Sequence, residues 1–196
     1  MTIATEKSEL RKRLLVLRRE IPKKEWSERS SRIINKLQSS EEFLSSKTIH
    51  CFVSMNGRKE VNTHPFIKES LSAVKSIIVP ITNFETGTLD HSKLNSFDEL
   101  EENKWGVYEP KALTPFSSNI DLIIVPLLAA DKSFNRLGYG KGFYDRFLNS
   151  NKAIKIGLLF DEFLMDKIPV DDFDEKLDIL ITDKKVLRRN NAGIVS

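Results

Sequence analysis

Short apolar runs that alternate with helical segments limit the fold of this chain more than any other feature of its sequence. Each run is five to seven residues long and rich in Ile, Leu and Val; they are Thr48–Val53, Ser76–Ile81, Asp121–Val125, Ala153–Leu159 and Leu177–Thr182. Strands of this kind are buried on both faces by the helices between them. The pattern predicts an α/β class, with a three-layer α/β/α Rossmann-like fold and a mostly parallel sheet.

Two helices are predicted before the first strand. In the first, Thr5 is placed to cap the amino end, Pro22 ends the helix, and apolar residues recur every three or four positions at Leu10, Leu14, Leu17 and Ile21. The second runs from about Lys23 to Gln38, and its apolar side carries Trp26, Ile33, Ile34 and Leu37. We expect one domain over residues 1–196, in which helices over 6–38 form a hairpin packed on an α/β core over 47–185.

Weaker patterns predict the connections. Asn62–Val74 has the pattern of a helix, Thr88–Leu94 alternates as an edge strand does, and Phe97–Trp105 indicates a short acidic helix or turn. One more helix is expected after Gly142, ending near Asn149.

Composition excludes several classes of protein. No apolar run approaches the roughly 20 residues of a membrane span, and the amino terminus has no apolar signal-peptide core, so we expect a cytoplasmic protein. Cys51 is the sole cysteine and the three histidines have no metal-ligand spacing, which argues against disulfides and structural zinc. The net charge of +3 is small, but residues 1–40 carry +6 and residues 161–183 carry −7. The basic end could meet an anion and the acidic end a cation.

The strongest local signal is a glycine-rich loop over Arg136–Asp145. Gly138, Gly140 and Gly142 alternate between a predicted strand and a predicted helix. Glycines allow close approach of a ligand, and successive amides before a helix form a nest for anions. With two cationic side chains in the same loop, the segment is a candidate phosphate cradle. It is neither a P-loop nor the dinucleotide G-x-G-x-x-G motif, and the alternative is a surface turn that needs glycine.

Charged residues near this loop have two interpretations each. Asp145 lies four residues after Lys141, so it either forms a helical ion pair or binds magnesium beside a phosphate. Lys7 and Arg11 share one helix face close to its amino end, where they are either solvated or bind a polyanion. Asp178 begins an apolar strand, as a strand-entry residue or part of a cation site.

Aromatic residues also gather in and near the loop. Tyr139 stands between two glycines, where packing gives little reason for a ring, so we expect it to stack on a flat ligand. Phe143 and Phe147 share a helix face and are expected in the core.

Blocks of sequence along nearly the whole chain resemble the 5-formyltetrahydrofolate cyclo-ligase family, also called methenyltetrahydrofolate synthetases. The most specific block is Asn135-Arg136-Leu137-Gly138-x-Gly140-Lys141-Gly142-x-Tyr144-Asp145. The others, in family order, are Lys7-x-x-Leu10-Arg11, Phe52-Val53-Ser54-Met55, Glu60-Val61-x-Thr63, Trp105-Gly106-Val107-x-Glu109-Pro110, Asp121-Leu122-Ile123-x-Val125-Pro126, Asp131, Leu177-Asp178 and Thr182-Asp183.

The resemblance implies roles for individual residues. Phosphate-stabilising catalytic roles fall on Arg136 and Lys141. ATP contacts are implied for Lys7, Arg11, Arg136, Leu137, Gly138, Tyr139, Gly140, Lys141, Gly142, Phe143 and Tyr144. Folate contacts are implied for Val53, Glu60, Trp105, Tyr139, Gly140, Lys141, Gly142 and Phe143. Magnesium ligands are implied for Asp145 and Asp178.

Three departures from the family pattern stand out. Tyr139 replaces a common arginine, Phe143 replaces a common tyrosine, and the loop Asn56–Lys59 is longer than in some members. A lost arginine removes charge at Tyr139, where stacking would take its place.

The implied activity is ATP-dependent cyclisation of 5-formyltetrahydrofolate to 5,10-methenyltetrahydrofolate, with Mg²⁺ and with ATP as co-substrate. The implied partners are these small molecules, with no nucleic acid or membrane, and the chain is expected to be a monomer or weak dimer.

Two alternatives remain at this point. One is a sugar-phosphate isomerase-like enzyme on a related fold, which would use the glycine loop without magnesium. The other is a non-enzymatic RNA-binding module that uses the basic amino-terminal helices.

Overall fold

A seven-stranded sheet forms the centre of the described part of the chain. The structure is a computed structural model that describes residues 2–73, 75–103 and 106–190. In spatial order the strands are β12 (Val186–Arg188), β11 (Ile179–Ile181), β9 (Ile154–Leu158), β6 (Leu122–Val125), β1 (Thr48–Cys51), β2 (Ser76–Asn83) and β3 (Thr88–Leu94). The five inner strands are parallel, and β12 and β3 pair antiparallel at the two edges.

Five α-helices surround this sheet within the described residues. They are α1 (Ile3–Glu20), α2 (Lys23–Gln38), α3 (Glu41–Ser45), α4 (His64–Ser72) and α5 (Phe143–Asn149). The chain passes through α4 from β1 to β2, and through α5 from β6 to β9, in opposite directions along the sheet. Because such crossovers are right-handed, α4 and α5 lie on opposite faces.

Short strands and 3₁₀ turns complete the described chain. One hairpin pairs β4 (Leu100–Glu102) with β5 (Tyr108–Pro110), and a small sheet joins β10 (Leu164–Met165), β7 (Ala129–Asp131) and β8 (Arg136–Leu137). The 3₁₀ turns are Asn56–Arg58, Phe97–Glu99 and Asp161–Phe163. The hairpin of β7 and β8 lies between β6 and α5 in the chain and leads directly into the glycine loop.

Cationic and aromatic side chains fix α1 and α2 over the carboxyl ends of the parallel strands. Arg18 donates a 3.2 Å hydrogen bond to the carbonyl of Leu127, just beyond β6. Arg29 donates to Asp183, just beyond β11, with an Nε–Oδ2 distance of 3.0 Å. Trp26 donates a 2.6 Å hydrogen bond to the carbonyl of Glu60. These two helices therefore form a roof over the sheet edge at which α/β proteins bind ligands.

The mixed α/β class with a large, mostly parallel sheet is confirmed, and the predicted second helix agrees with α2 at both ends. The cap of the first helix was wrong: Thr2 is the N-cap, its side chain accepts from the Thr5 amide, and Thr5 lies inside α1. Leu17 was expected on the apolar face but is exposed, whereas Leu14 is buried.

Other boundaries moved by a few residues. The strand predicted over Thr48–Val53 ends at Cys51, and the helix predicted over Asn62–Val74 spans His64–Ser72, with Val74 outside the described residues. For Phe97–Trp105 a short helix or turn was expected; the described part begins with a 3₁₀ turn, and the strand Leu100–Glu102 follows it.

Among the described residues, no helix combines the length and the apolar character needed to cross a bilayer.

A pair of histidines is enclosed between the sheet and α5. His50 in β1 is fully buried, and its Nε2 lies 3.2 Å from Nδ1 of His91 in β3. The ring of Phe147 lies against both imidazoles, with centroid distances of 4.7 and 4.2 Å. Burial lowers the pKa of both histidines, and the neighbouring His91 lowers the pKa of His50 further. Both rings are therefore neutral in the folded protein near pH 7.

This pair predicts a loss of stability in mild acid. Because burial lowers the pKa of His50 in the folded state, the unfolded chain binds more protons once the pH falls below about 6.5. The free energy of unfolding should then decrease by up to about 1.4 kcal/mol per pH unit for this group. Urea unfolding between pH 8 and pH 5 measures the slope. His50→Phe keeps a ring beside Phe147 and should have a shallower slope below pH 6.5; an equal slope would contradict this origin.

Candidate functional site at the carboxyl edge of the sheet

The site lies where the strand order reverses, between β1 and β6. The chain leaves β1 towards β2 on one side and leaves β6 towards β9 on the other. Loops diverge at such a point and leave a crevice beyond the carboxyl ends of the strands. Here the crevice is bounded by Phe52–Ser54 after β1, Pro126–Leu128 after β6, the glycine loop, and the roof formed by α1 and α2. Val53, an expected folate contact, is buried at this edge.

The glycine loop is bound to α1 through Arg11. Arg11 Nε donates a 2.8 Å hydrogen bond to the carbonyl of Gly138. Gly140 has a φ of +88°, and a Cβ atom on it would lie 3.0 to 3.2 Å from the Arg11 guanidinium. Among the described residues, the backbone amides of residues 139–142 donate to no protein acceptor. The loop therefore presents four successive N–H groups that a ligand with several oxygen atoms can accept from.

Cationic side chains surround these amides. Lys7 is buried and forms an ion pair with Asp174 in the acidic segment 161–183. Lys141 is exposed, and its ammonium has no partner within the described ranges. Burial lowers the pKa of Arg11 from its usual value, against the opposing effect of Asp174. The resemblance placed Lys7, Arg11 and Lys141 at one phosphate site, and the structure brings Arg11 to the loop that carries Lys141.

Arg136 is buried beneath the loop. Its Nη2 forms an ion pair with Asp145, and its Nη1 donates a 3.4 Å hydrogen bond to the Pro126 carbonyl. Its Nε is buried without a partner in the part of the chain that is described. The expected i,i+4 alternative for Asp145 is not formed, because its carboxylate turns to Arg136 instead of Lys141.

A buried carboxylate forms the other wall of the crevice. Glu60 Oε2 accepts a 2.6 Å hydrogen bond from the Met55 amide, and Glu60 Oε1 accepts one from the Tyr139 hydroxyl. Arg18 Nη2 donates to the same hydroxyl, and Arg18 Nε donates to the Arg58 carbonyl at 2.9 Å. Burial raises the pKa of Glu60, and the nearby Arg18 guanidinium opposes that shift. Residues 79 positions apart in sequence thus meet through one hydroxyl.

The remaining aromatic residues of the loop have different surroundings. Phe143 was expected in the core, but it is partly exposed and packs edge-on against Phe84 at the tip of the β2–β3 hairpin, with ring centroids 5.8 Å apart. Leu137 is buried in β8. The Tyr144 hydroxyl is buried without a hydrogen-bond partner in the described chain, and burial raises its pKa well above the usual value. Such an orphaned group fits a ligand atom or a water molecule placed beside it.

Asp178 lies at the opposite edge of the sheet from this crevice. It precedes β11, its Oδ2 accepts a 2.9 Å hydrogen bond from the Lys155 amide at the start of β9, and Arg189 donates to its Oδ1 at 2.6 Å. Asp145 stands in the first turn of α5 at the carboxyl edge. The pairing of Asp145 and Asp178 around one magnesium ion, which the resemblance implied, is therefore not formed in this structure. Nor do three or more His, Cys, Asp or Glu side chains of the described residues form a group that could hold a metal.

One expected site residue is not described, and one residue of the site was not expected. Trp105, an expected folate contact, lies outside the described residues. Arg18 was missed, although it stands seven positions after Arg11 and four after Leu14, a spacing that places all three on one helix face.

Comparisons with known proteins show the family of the chain and the relatives of its fold. Residues 3–183 match the 5-formyltetrahydrofolate cyclo-ligase family. The 5-formyltetrahydrofolate cyclo-ligase of Mus musculus is 31% identical over 194 residues, covering 91% of this chain and 94% of the mouse protein. That of Escherichia coli K12 is 30% identical over 177 residues, covering 86% and 96%. The NMR structure of Aquifex aeolicus 5,10-methenyltetrahydrofolate synthetase has a TM-score of 0.82 and 32% identity, covering 97% of this chain and 96% of that one.

Fold and site define a mixed α/β protein in which the glycine-rich loop, the cationic side chains of α1 and the buried carboxylate of Glu60 meet at the carboxyl edge of the sheet. The chain belongs to the 5-formyltetrahydrofolate cyclo-ligase family. The resemblance stated from the sequence blocks is confirmed, and so is the expectation of a ligase of this family. Neither the sugar-phosphate isomerase alternative nor the RNA-binding alternative has support of this kind.

Replacing the glycine at position 140 is predicted to destabilise the fold. Gly140→Ala forces a side chain into the left-handed region and against Arg11, so the free energy of unfolding should fall by about 1–2 kcal/mol. Gly57→Ala is the matched control, because its Cβ atom would meet nothing within 4 Å, and its effect should stay within about 0.5 kcal/mol. Urea unfolding followed by circular dichroism measures both, and equal effects would contradict the assignment.

Proposed function

We propose that this protein converts 5-formyltetrahydrofolate and ATP into 5,10-methenyltetrahydrofolate, ADP and phosphate. The observation that carries the proposal is the set of unpartnered amides at residues 139–142, with Arg11 on one side and the buried Glu60 on the other. The amides suit a phosphate chain, and the carboxylate suits a polar heterocycle. A reaction that transfers a phosphoryl group from a nucleotide to a folate needs the two side by side.

The triphosphate binds, in this proposal, to the loop amides and the surrounding cations. Arg11 and Lys141 contribute positive charge, and Lys7 joins them when the phosphates compete with Asp174 for its ammonium. Arg136 lies beneath the loop. Together with Lys141, it is proposed to neutralise the negative charge of the phosphates. Phosphoryl transfer depends mainly on positioning and on stabilising charge, so these contacts supply what the first step requires. Leu137, Gly138, Phe143 and Tyr144 complete the proposed ATP site.

Magnesium fits one of the two expected carboxylates. Mg²⁺ in nucleotide sites is often held by one or two carboxylates together with phosphate oxygens. Asp145 meets this need, since it lies beside the loop and, among the described residues, its Oδ1 is engaged by Arg136 while its Oδ2 has no partner. Asp178 does not, because it lies at the other edge of the sheet. When bound, the ion would neutralise phosphate charge and orient the γ-phosphate.

The folate is proposed to bind against Glu60 and Val53, with loop residues 139–143 along its border. The folate contact that the resemblance implies for Trp105 stays a prediction, because this residue lies outside the described ranges. Its formyl oxygen attacks the γ-phosphorus of ATP and ADP leaves, which makes the formyl carbon electrophilic as an iminium phosphate. The second folate nitrogen attacks that carbon, gives up its proton to the medium and closes the ring, and phosphate leaves with the former formyl oxygen. The nucleophile belongs to the substrate, so the protein supplies position and charge but no serine or cysteine nucleophile.

The cellular setting is proposed on the same grounds. A family that acts on small molecules fits a cytoplasmic protein, a monomer or weak dimer, with no nucleic-acid or membrane partner.

The test is direct. Purified protein is mixed with 5-formyltetrahydrofolate, ATP and Mg²⁺, and the near-ultraviolet absorbance of the methenyl product is followed. We expect a rise that needs all three components. A flat trace with folded protein would overturn the proposal.

Lys141 is predicted to stabilise charge in the phosphoryl-transfer step. Lys141→Ala should lower kcat by about 10²–10³-fold, as when one aimed donor is removed from an oxyanion site. Lys152→Ala removes an exposed lysine before β9 and serves as the matched control. Unchanged turnover in Lys141→Ala would remove this residue from the mechanism.

Asp145 is predicted to be the magnesium carboxylate. Asp145→Asn should raise the Mg²⁺ concentration for half-maximal activity by about tenfold or more, measured by magnesium titration at saturating ATP. Asp166→Asn, an exposed aspartate paired with Lys132, is the control. An equal shift in Asp178→Asn would place the ion at the opposite edge and contradict the assignment.

A further inference from the structure

One phenol joins the glycine loop to the carboxylate of the proposed folate site. The Tyr139 hydroxyl accepts a hydrogen bond from Arg18 and donates one to Glu60 Oε1. The other oxygen of Glu60 accepts from the Met55 amide. Both oxygens of this carboxylate are therefore engaged by the protein itself, before any substrate binds.

The cavity beside this contact is too small for a folate ring. Its volume is about 10 Å³, enough for about one water molecule, whereas small-molecule sites commonly measure roughly 300–1,000 Å³. Arg18 and Glu60 line the cavity together with residues at the carboxyl ends of β1, β6 and β9, among them Phe52, Leu127 and Leu158. This cavity has no room for a bicyclic ring, and a ring N–H can bond to Glu60 only by displacing one of the donors that already engage its two oxygens.

Among the groups that hydrogen-bond to one another at Glu60, Tyr139 is held by the fewest other contacts. Arg18 is buried on α1 and tied to the carbonyls of Leu127 and Arg58 as well as to Tyr139. Glu60 is buried and tied to Met55. Tyr139 is half-buried and has glycine on both sides, so its backbone can change conformation with little steric cost.

We propose that Tyr139 is a latch: its hydroxyl occupies Glu60 in the free enzyme, and a ring N–H of the folate must displace it, so this residue sets the affinity for the substrate. The inference rests on the proposed function, because it requires the folate to bind at Glu60.

The latch reduces the apparent affinity for the folate. When only a fraction of the free enzyme is open, the apparent dissociation constant rises by the reciprocal of that fraction. Hydrogen bonds to a charged group are among the stronger ones in proteins. The free energy of one such bond corresponds to a change of about tenfold in the equilibrium constant between the closed and the open enzyme. Removing the hydroxyl should therefore tighten folate binding, whereas removing a contact needed for binding would weaken it.

Tyr139→Phe tests the latch. The variant keeps the ring that lies 5.6 Å from the Arg18 guanidinium and 5.9 Å from that of Arg58. We expect the Kd of 5-formyltetrahydrofolate, measured by calorimetry without ATP, to fall about tenfold. The KM for the folate should fall with it, and the KM for ATP should not. Tyr108→Phe is the matched control, since that hydroxyl bonds Glu102 at the surface and its loss should leave the folate Kd unchanged.

The outcomes separate the latch from the proposed function. Equal or weaker folate binding by a folded Tyr139→Phe protein would overturn the latch while the wild type stays active. A wild type that neither binds nor converts the folate would overturn the proposed function itself. Tyr139→Leu, which also lacks the hydroxyl, replaces the first variant if that one does not fold.

Discussion

The shape of the site depends on the hydrogen bonds of one buried group, the guanidinium of Arg18. A charge removed from water must be hydrogen-bonded, or it destabilises the fold. Arg18 meets this condition with acceptors on three separate segments: the Arg58 carbonyl, the Leu127 carbonyl and the Tyr139 hydroxyl. The same side chain thus fixes α1, the loop after β1, the end of β6 and the glycine loop relative to one another. The crevice between those segments is the site.

The uneven charge of the sequence serves the same assembly. The basic first 40 residues and the acidic segment 161–183 meet through buried or partly buried ion pairs, Lys7 with Asp174 and Arg29 with Asp183 and Glu162. These pairs hold the roof helices over the carboxyl edge, and Lys7 remains within the proposed nucleotide site. Part of the charge that the sequence analysis reserved for a ligand is thus used by the fold, and in the proposed ATP site the triphosphate would compete with Asp174 for Lys7.

Local patterns predicted most of the fold, and contacts distant in sequence decided the rest. The parallel strands follow from apolar runs, and α2 from its periodicity and Pro22. The strands β7, β8 and β10 have two or three residues each, too few for a period to appear. The glycine loop was evident from its spacing, but the meeting of Tyr139 with Glu60 depends on the path of the whole chain. For Asp178 the signal was present: a residue that precedes a parallel strand lies at the amino edge, away from Asp145.

The central claim is that nucleotide and folate meet between the roof helices and the glycine loop. A crystal structure with Mg²⁺ and a non-hydrolysable ATP analogue tests it most directly. The account predicts the phosphates within hydrogen-bond distance of the amides of residues 139–142, with Lys7 and Arg11 on their outer side and the metal beside Asp145. A nucleotide bound at the amino edge, beside Asp178, would contradict it.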